Sequence, residues 1–315
     1  MAAVSYNRFM SEVLEIYGNR RPATREKMRQ VLAEFGALEG VRKTSDLKPV
    51  IVARWLAAHP DRRPATIDSL LRTFASAVMI GIESEYLTVS PIGKRSRWIH
   101  QLPRPGATEW HRTPEEIKRF LDLLDHEAAG GRFLDRRTRV LGYLYAFTGL
   151  RKMEGLGLRW IDVELEASLI HIRPHPARPL KTSSAEASLW IHPKLAPVLS
   201  DWRAWLERTW TYRATPWVFP NRTGVGVGFW QGGPPGSKPL DRIKAAGRRA
   251  GLDGLTILSF RKTIGTYARA WGLTPDELKR WLRHSGTGMQ SYYREHDPTA
   301  ERVELARIAG KIWPA

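Results

Sequence analysis

Tyr293 lies nine residues after His284, in the run His284-Ser285-Gly286-Thr287-Gly288-Met289-Gln290-Ser291-Tyr292-Tyr293. Upstream stand Arg151, in Thr148-Gly149-Leu150-Arg151, and Arg261, in Leu258-Ser259-Phe260-Arg261-Lys262-Thr263, with Lys181 between them. Together these side chains are the parts needed to attack a DNA phosphodiester without a metal ion. A phenol oxygen attacking phosphorus forms a covalent phosphotyrosine, which stores the bond energy for rejoining. A phenol ordinarily ionises near a pKa of about 10, so Tyr293 needs a positive setting or a base. Arg151 and Arg261 supply a clamp: guanidinium forks match phosphate geometry and stabilise the charge that builds on the non-bridging oxygens. His284 adds a further hydrogen bond to the phosphate, and Lys181 protonates the leaving oxygen.

Taken singly, each residue has an ordinary structural explanation. An arginine in a Gly-Leu-Arg turn often serves a surface or a helix cap, a tyrosine near a helix end often edges an apolar face, and a histidine before a serine often caps a helix. Their order and spacing together carry the chemistry.

Positioning such a set takes a scaffold, and the chain is long enough for two domains. Its first ninety residues read as helices over roughly Ser5–Tyr17, Ala23–Phe35, Leu47–His59 and Pro64–Ile80. In the last of these Ile67, Leu70, Leu71, Phe74, Ala77 and Val78 recur on one helical face, Pro64 suits the first turn, and Thr66 is a candidate cap. Ser90-Pro91-Ile92-Gly93 ends that region. Lys94, Arg95, Arg97, Pro103, Pro105 and Gly106 then make a basic, irregular connector, either a solvated linker or a strap along a DNA backbone. Thr113-Pro114-Glu115-Glu116 opens a second region as a strong helix start. A further helix over Arg137–Phe147 is broken at Gly149, which places Arg151 at the start of a short helix. Leu169–Ile172 and Ala187–Ile191 read as strands with Lys181 between them. Helices are expected over Lys194–Glu207, Leu240–Ala250, Phe260–Trp271, Pro275–Arg283 and Pro298–Ile312.

Composition narrows the partner. Of 315 residues, 50 are Lys or Arg and 32 Asp or Glu, a formal net charge of +18, which suits a polyanion such as double-stranded DNA or else a basic solvated surface. With no cysteine, disulfides, thiol nucleophiles and thiolate metal sites are excluded. No signal peptide or uninterrupted membrane-length apolar run is evident, so a soluble, intracellular protein is expected. The carboxylates are scattered rather than clustered as a two-metal nuclease requires. His171 and His175 flank Arg173-Pro174 and do not form a helical ligand pair. The Gly-rich stretch from Gly224 to Gly236 has Gly236-Ser237-Lys238 in the wrong order for a phosphate loop. No metal or cofactor is implied.

The segment Thr148-Gly149-Leu150-Arg151-Lys152-Met153-Glu154-Gly155-Leu156-Gly157-Leu158 resembles the first arginine box of the tyrosine recombinases, the phage-integrase family, including the acidic residue three after the arginine. Leu180-Lys181-Thr182 is similar to the family's lysine hairpin, and Trp217-Val218-Phe219-Pro220 to the segment that follows. Leu282-Arg283-His284-Ser285 resembles the second-histidine box, with arginine where glycine is usual. The family's tyrosine follows nine residues later, selecting Tyr293 over Tyr292.

The resemblance implies a mainly α protein: an N-terminal helical core-binding, DNA-binding domain (residues 1–92), a basic linker (93–107), and a mostly α catalytic domain with a small antiparallel β-sheet (108–315). It implies a C-shaped clamp on duplex DNA, cleavage and rejoining through a 3′-phosphotyrosyl intermediate, and a homo-oligomer, a tetramer on paired sites. Bacteria, phages and mobile elements are the expected setting; accessory DNA-bending proteins and the DNA site are not named by the sequence.

One position departs. The family usually carries histidine three residues before the second arginine, and here that residue is Leu258. Leucine can neither relay a proton nor bond a phosphate. Slower cleavage is the expectation, and two other readings stay open: an integrase-like protein that binds DNA without cutting, and a relaxing topoisomerase of the related type IB chemistry. The terminal stretch Val303, Leu305, Ile308, Ile312 and Trp313 could pack on its own domain or on a neighbouring copy.

Overall fold

The computed structural model describes residues 3–94, 98, 111–177, 186–221, 229–230, 236–283 and 298–313. The chain divides into two compact units, Met1–Thr108 and Glu109–Ala315.

The N-terminal unit is built from α1 (Tyr6–Ile16), α2 (Pro22–Gly36), α3 (Pro49–Ala57) and α4 (Pro64–Glu83). Three of the four begin with proline, whose fixed φ and missing N–H suit a first turn. Arg63, not Thr66, occupies the N-cap of α4, because the helix begins directly at Pro64 and leaves Thr66 inside its first turn. By length and composition α4 could cross a membrane. In this unit its apolar face, Ile67 through Val78, is buried instead in a core shared with Phe9, Leu32, Phe35 and Trp55. The ring of Phe35 stacks between Trp55 and Phe74, with centroids 5.1 and 3.6 Å away.

The second unit begins as expected: Thr113 and Glu116 form a reciprocal capping box at the start of α5 (Pro114–Ala129). The antiparallel α6 (Phe133–Thr148) packs along it, and α7 (Lys152–Leu156) follows after a sharp turn. A three-stranded antiparallel sheet comes next, in the order β1 (Val163–Glu164), β2 (Leu169–Ile172), β3 (Ala187–Trp190), with Val163 opposite Ile170 and Ile170 opposite Leu189. Strand β1 was not legible in the sequence, since two residues carry no alternation. His171, on β2, lies within hydrogen-bond distance of Glu164 and Ser188, and His175 of the Gly157 carbonyl, so both are engaged by their own neighbours. Helices α8 (Ala196–Arg208), α9 (Pro239–Arg249), α10 (Ile257–Tyr267), α11 (Pro275–Leu282) and α12 (Pro298–Lys311) complete the described elements. The core gathers Phe120, Leu144, Tyr145, Ile170, Leu189, Phe219, Phe260 and Trp281. Helix α10 begins three residues earlier than the sequence suggested, which places Leu258 in its first turn.

The last helix packs in cis. Leu305, Ile308 and Ile312 are buried, and the Trp313 indole N–H donates to the Ala146 carbonyl at 2.8 Å, while Val303 stays exposed. Reciprocal charges tie α12 to α11: Glu277 meets Arg307 at 2.5 Å and Lys311 at 3.0 Å, and Arg280 meets Glu301 and Glu304. Burial works against the Glu277 charge, but the Thr274 amide, Lys311 and Arg307 outweigh it and bring the carboxyl from its ordinary 4.5 down to about 2. Because this pKa is depressed on folding, the stabilisation is fully present above about 4.5 and is lost as pH falls toward about 2. Glu277→Gln is therefore expected to lower stability at neutral pH by about 1–3 kcal/mol. The gap from wild type should close across that acid window in a series of thermal melts; a gap independent of pH would refute the assignment.

Candidate active site

The turn between α6 and α7 starts the site. Gly149 caps α6 in the left-handed conformation, φ 60° and ψ 25°, which an L side chain adopts only with strain. A Cβ there would lie 2.9 Å from Leu282 Cδ2 and 3.1 Å from Ile264 Cδ1, so the turn also packs directly against α10 and α11. Gly149→Ala is expected to cost about 1–3 kcal/mol and, on the chemistry expected from the sequence, to weaken strand transfer beyond what the loss of fold explains, because the turn carries Arg151. A melting curve and a cleavage rate equal to wild type would show that the turn tolerates the change.

Arg151 is the N-cap residue of α7. Its backbone N–H donates to Glu154 Oε2 at 2.8 Å, its Nη1 to Glu154 Oε1 at 2.8 Å, and its Nη2 to the Arg283 carbonyl at 3.2 Å. The side chain keeps 36 % of its surface exposed, so the fork is braced from behind and open in front. Arg261 comes from the second turn of α10 and is buried. Its Nη1 donates to the Gly149 carbonyl at 2.8 Å and its Nη2 to the Leu282 carbonyl. The two arginines, far apart in sequence, thus meet at one place. Each also grips the last residues of α11, immediately before His284.

The positive charge here is crowded. Burial first, then the like charges of Arg283 and Arg151, push the Arg261 guanidinium down to about 9, with Glu154 opposing. It still carries its proton at neutral pH, and an anion placed between these groups would relieve the repulsion. Glu154 is itself buried. Burial raises its pKa, but Arg283 and Arg151 more than reverse this and hold it ionised.

Lys181, His284 and Tyr293, and Tyr292 with them, lie outside the described residues. Of the five residues expected from the sequence, the structure brings together Arg151 and Arg261. It adds one that sequence reasoning did not select. Arg283 lies at the C-cap of α11 with φ 53° and ψ 50°, and its guanidinium is buried on Glu154 at 3.0 Å. The departure from glycine was visible in the sequence, but nothing there indicates that the side chain folds inward. Leu258 is half exposed, one helical turn before Arg261. Among the described residues no group of three or more His, Asp or Glu is placed to hold a metal ion.

The phage integrase family profile matches residues 112–300 of this sequence. The chain therefore belongs to that family, the tyrosine recombinases. No curated protein matches the sequence. Among solved structures, the Tn1549 transposon integrase in complex with a circular intermediate DNA is 14 % identical at a TM-score of 0.72, covering 97 % of this chain and 99 % of that one. A lambda integrase dimer bound to a COC′ core site is 11 % identical at a TM-score of 0.66, covering 91 % and 97 %. At these identities the likeness is one of fold, and the mostly helical unit with its small antiparallel sheet is the fold these recombinases share.

Proposed function

We propose that this protein is a site-specific recombinase or integrase that cuts and rejoins duplex DNA through a 3′-phosphotyrosyl intermediate. The observation that carries the reading is the convergence of Arg151 and Arg261, braced by Glu154 and by backbone carbonyls and opening at Arg151. In the proposed reaction the clamped phosphodiester is attacked in line by the Tyr293 oxygen, whose proton passes to solvent water. A bond from tyrosine oxygen to phosphorus forms and the bond from phosphorus to the 5′ oxygen breaks. Lys181 gives its proton to that 5′ oxygen, and His284 and the two arginines hold the non-bridging oxygens. Attack by a 5′ hydroxyl of a second strand reverses these steps and frees the tyrosine. No metal is consumed or needed in this balance.

The net charge of +18 and the helical N-terminal unit fit a partner that is double-stranded DNA, with the protein acting in the cytoplasm at the nucleoid. Assembly as a homo-oligomer, a tetramer when two sites are paired, accompanies this reading. The test is covalent trapping on a nicked suicide substrate carrying the end sequence of the element, in the presence of a chelator. An adduct supports the reading; tight DNA binding without an adduct would favour a non-cutting DNA-binding protein.

Leu258 sets the expected pace. A half-exposed leucine contributes no donor one helical turn before Arg261, and a histidine there would keep contact with water. Leu258→His is expected to raise the cleavage rate, by up to about 10²-fold if it restores an acid–base partner. An unchanged rate would show that proton transfer does not limit the reaction.

A further inference from the structure

Arg283 is the one residue of this cluster held in a left-handed backbone without being glycine, at φ 53°. Its side chain is only 1 % exposed. Nη2 donates to Glu154 Oε2 at 3.0 Å and Nη1 to the Trp281 carbonyl at 2.8 Å, while Nε is buried with no partner among the described residues. A long cation buried in a conformation that glycine takes freely is costly to keep, so the site retains it against both strain and desolvation. It is tied to the clamp twice. Its side chain shares the Glu154 carboxylate with Arg151, and its backbone carbonyl accepts from Arg151 Nη2 at 3.2 Å. Arg261 in turn holds the carbonyl of Leu282, the preceding residue. Arg151 and Arg283 both pair with the Glu154 carboxylate, whose charge also reaches Arg261.

We propose that Arg283 is a positioning residue of this site: it fixes Arg151 through Glu154 and adds a third positive charge behind the clamp, so that the cluster favours an oxyanion more highly charged than a bound diester. This rests on the phosphodiester reading above. A diester carries one negative charge, and the five-coordinate phosphorus formed by oxyanion attack carries more, so a surplus of fixed positive charge acts mainly on the transition state. Arg283 does not touch the reacting atoms. It acts through the placement of Arg151 and through its field.

The test uses the full chain and a DNA-free probe. Orthovanadate, a tetrahedral oxyanion, is titrated by calorimetry into wild type, Arg283→Lys and Arg283→Gly, with a thermal melt of each. Wild type is expected to bind it. Arg283→Gly, which relieves the left-handed strain but removes the charge, should bind about tenfold more weakly, and Arg283→Lys should stay close to wild type. Covalent trapping at saturating DNA reads the other half. A lysine keeps the charge but cannot fork across Glu154 and the Trp281 carbonyl. Arg283→Lys should therefore cleave more slowly, by up to about 10²-fold, with unchanged DNA affinity. That split would not follow from a merely structural role. Equal vanadate affinity in all folded variants, or none in wild type, overturns the charge argument. An Arg283→Lys protein with the wild-type cleavage rate overturns the positioning argument, even where Arg283→Gly fails to fold. Arg283-dependent vanadate binding with no DNA adduct in wild type would sink the strand-transfer reading, and the positioning argument with it, while the charge argument stands.

Discussion

Tyr293→Phe is expected to abolish the covalent protein–DNA adduct, by at least about 10⁴-fold, whereas Tyr292→Phe leaves it. The substitution keeps the ring and removes a single oxygen, so packing and DNA affinity should be retained. No other hydroxyl replaces a nucleophile that must sit in line with the leaving 5′ oxygen. The neighbouring pair makes the test stringent, because adjacent side chains point in different directions on any regular backbone and cannot both reach one phosphorus atom. The readout is the fraction of suicide substrate trapped on the protein at saturating DNA. An adduct that survives in Tyr293→Phe and disappears in Tyr292→Phe would reassign the nucleophile, and survival in both would remove tyrosine chemistry from this chain.

The second large effect falls on Arg261. Arg261→Ala removes one arm of the clamp and should slow cleavage by about 10²–10³-fold, the scale of losing one preorganised donor to developing charge. It also leaves the Gly149 and Leu282 carbonyls without their donor in a buried place, which costs about 1–3 kcal/mol for each group left unpaired. Arg261→Lys separates the two contributions. The charge remains, yet a compact ammonium cannot span both carbonyls and still present a fork to a phosphate. A partial rescue of DNA binding with little rescue of rate is the expected result. A lysine variant that cleaves at the wild-type rate would show that charge alone suffices and that the fork geometry is incidental.

The contacts of Arg261 also show why, in the proposed reaction, its catalytic role would be hard to separate from its structural one. Its two carbonyl partners belong to the α6–α7 turn that carries Arg151 and to the end of α11 that leads into His284. On the proposed reading the clamp would be assembled by the same hydrogen bonds that close the domain, so preorganisation and stability would come from one set of groups. The crossed ion pairs between α11 and α12 extend that bracing to the far side of the segment carrying Tyr293, joining the helix before it to the helix after it.

Local order in the chain was enough for much of this. The helix start at Thr113-Pro114-Glu115-Glu116, the stop at Gly149, the apolar face of Pro64–Ile80 and the β-branched run Leu169–Ile172 are short-range patterns, and each maps onto an observed element because the forces that make it act within a few residues. The order and spacing of Arg151, Lys181, Arg261, His284 and Tyr293 likewise point to the family, and the family is the one the comparisons show. What the sequence could not supply was the pairing of distant groups. That Arg261 reaches the Gly149 carbonyl, that α12 folds back on its own unit, and that Arg283 turns inward onto Glu154 depend on contacts between residues more than a hundred positions apart or on a single backbone torsion. Only the packed chain sets the direction of a side chain at a left-handed helix end, because burial against Glu154 must there outweigh both strain and the loss of water around a guanidinium.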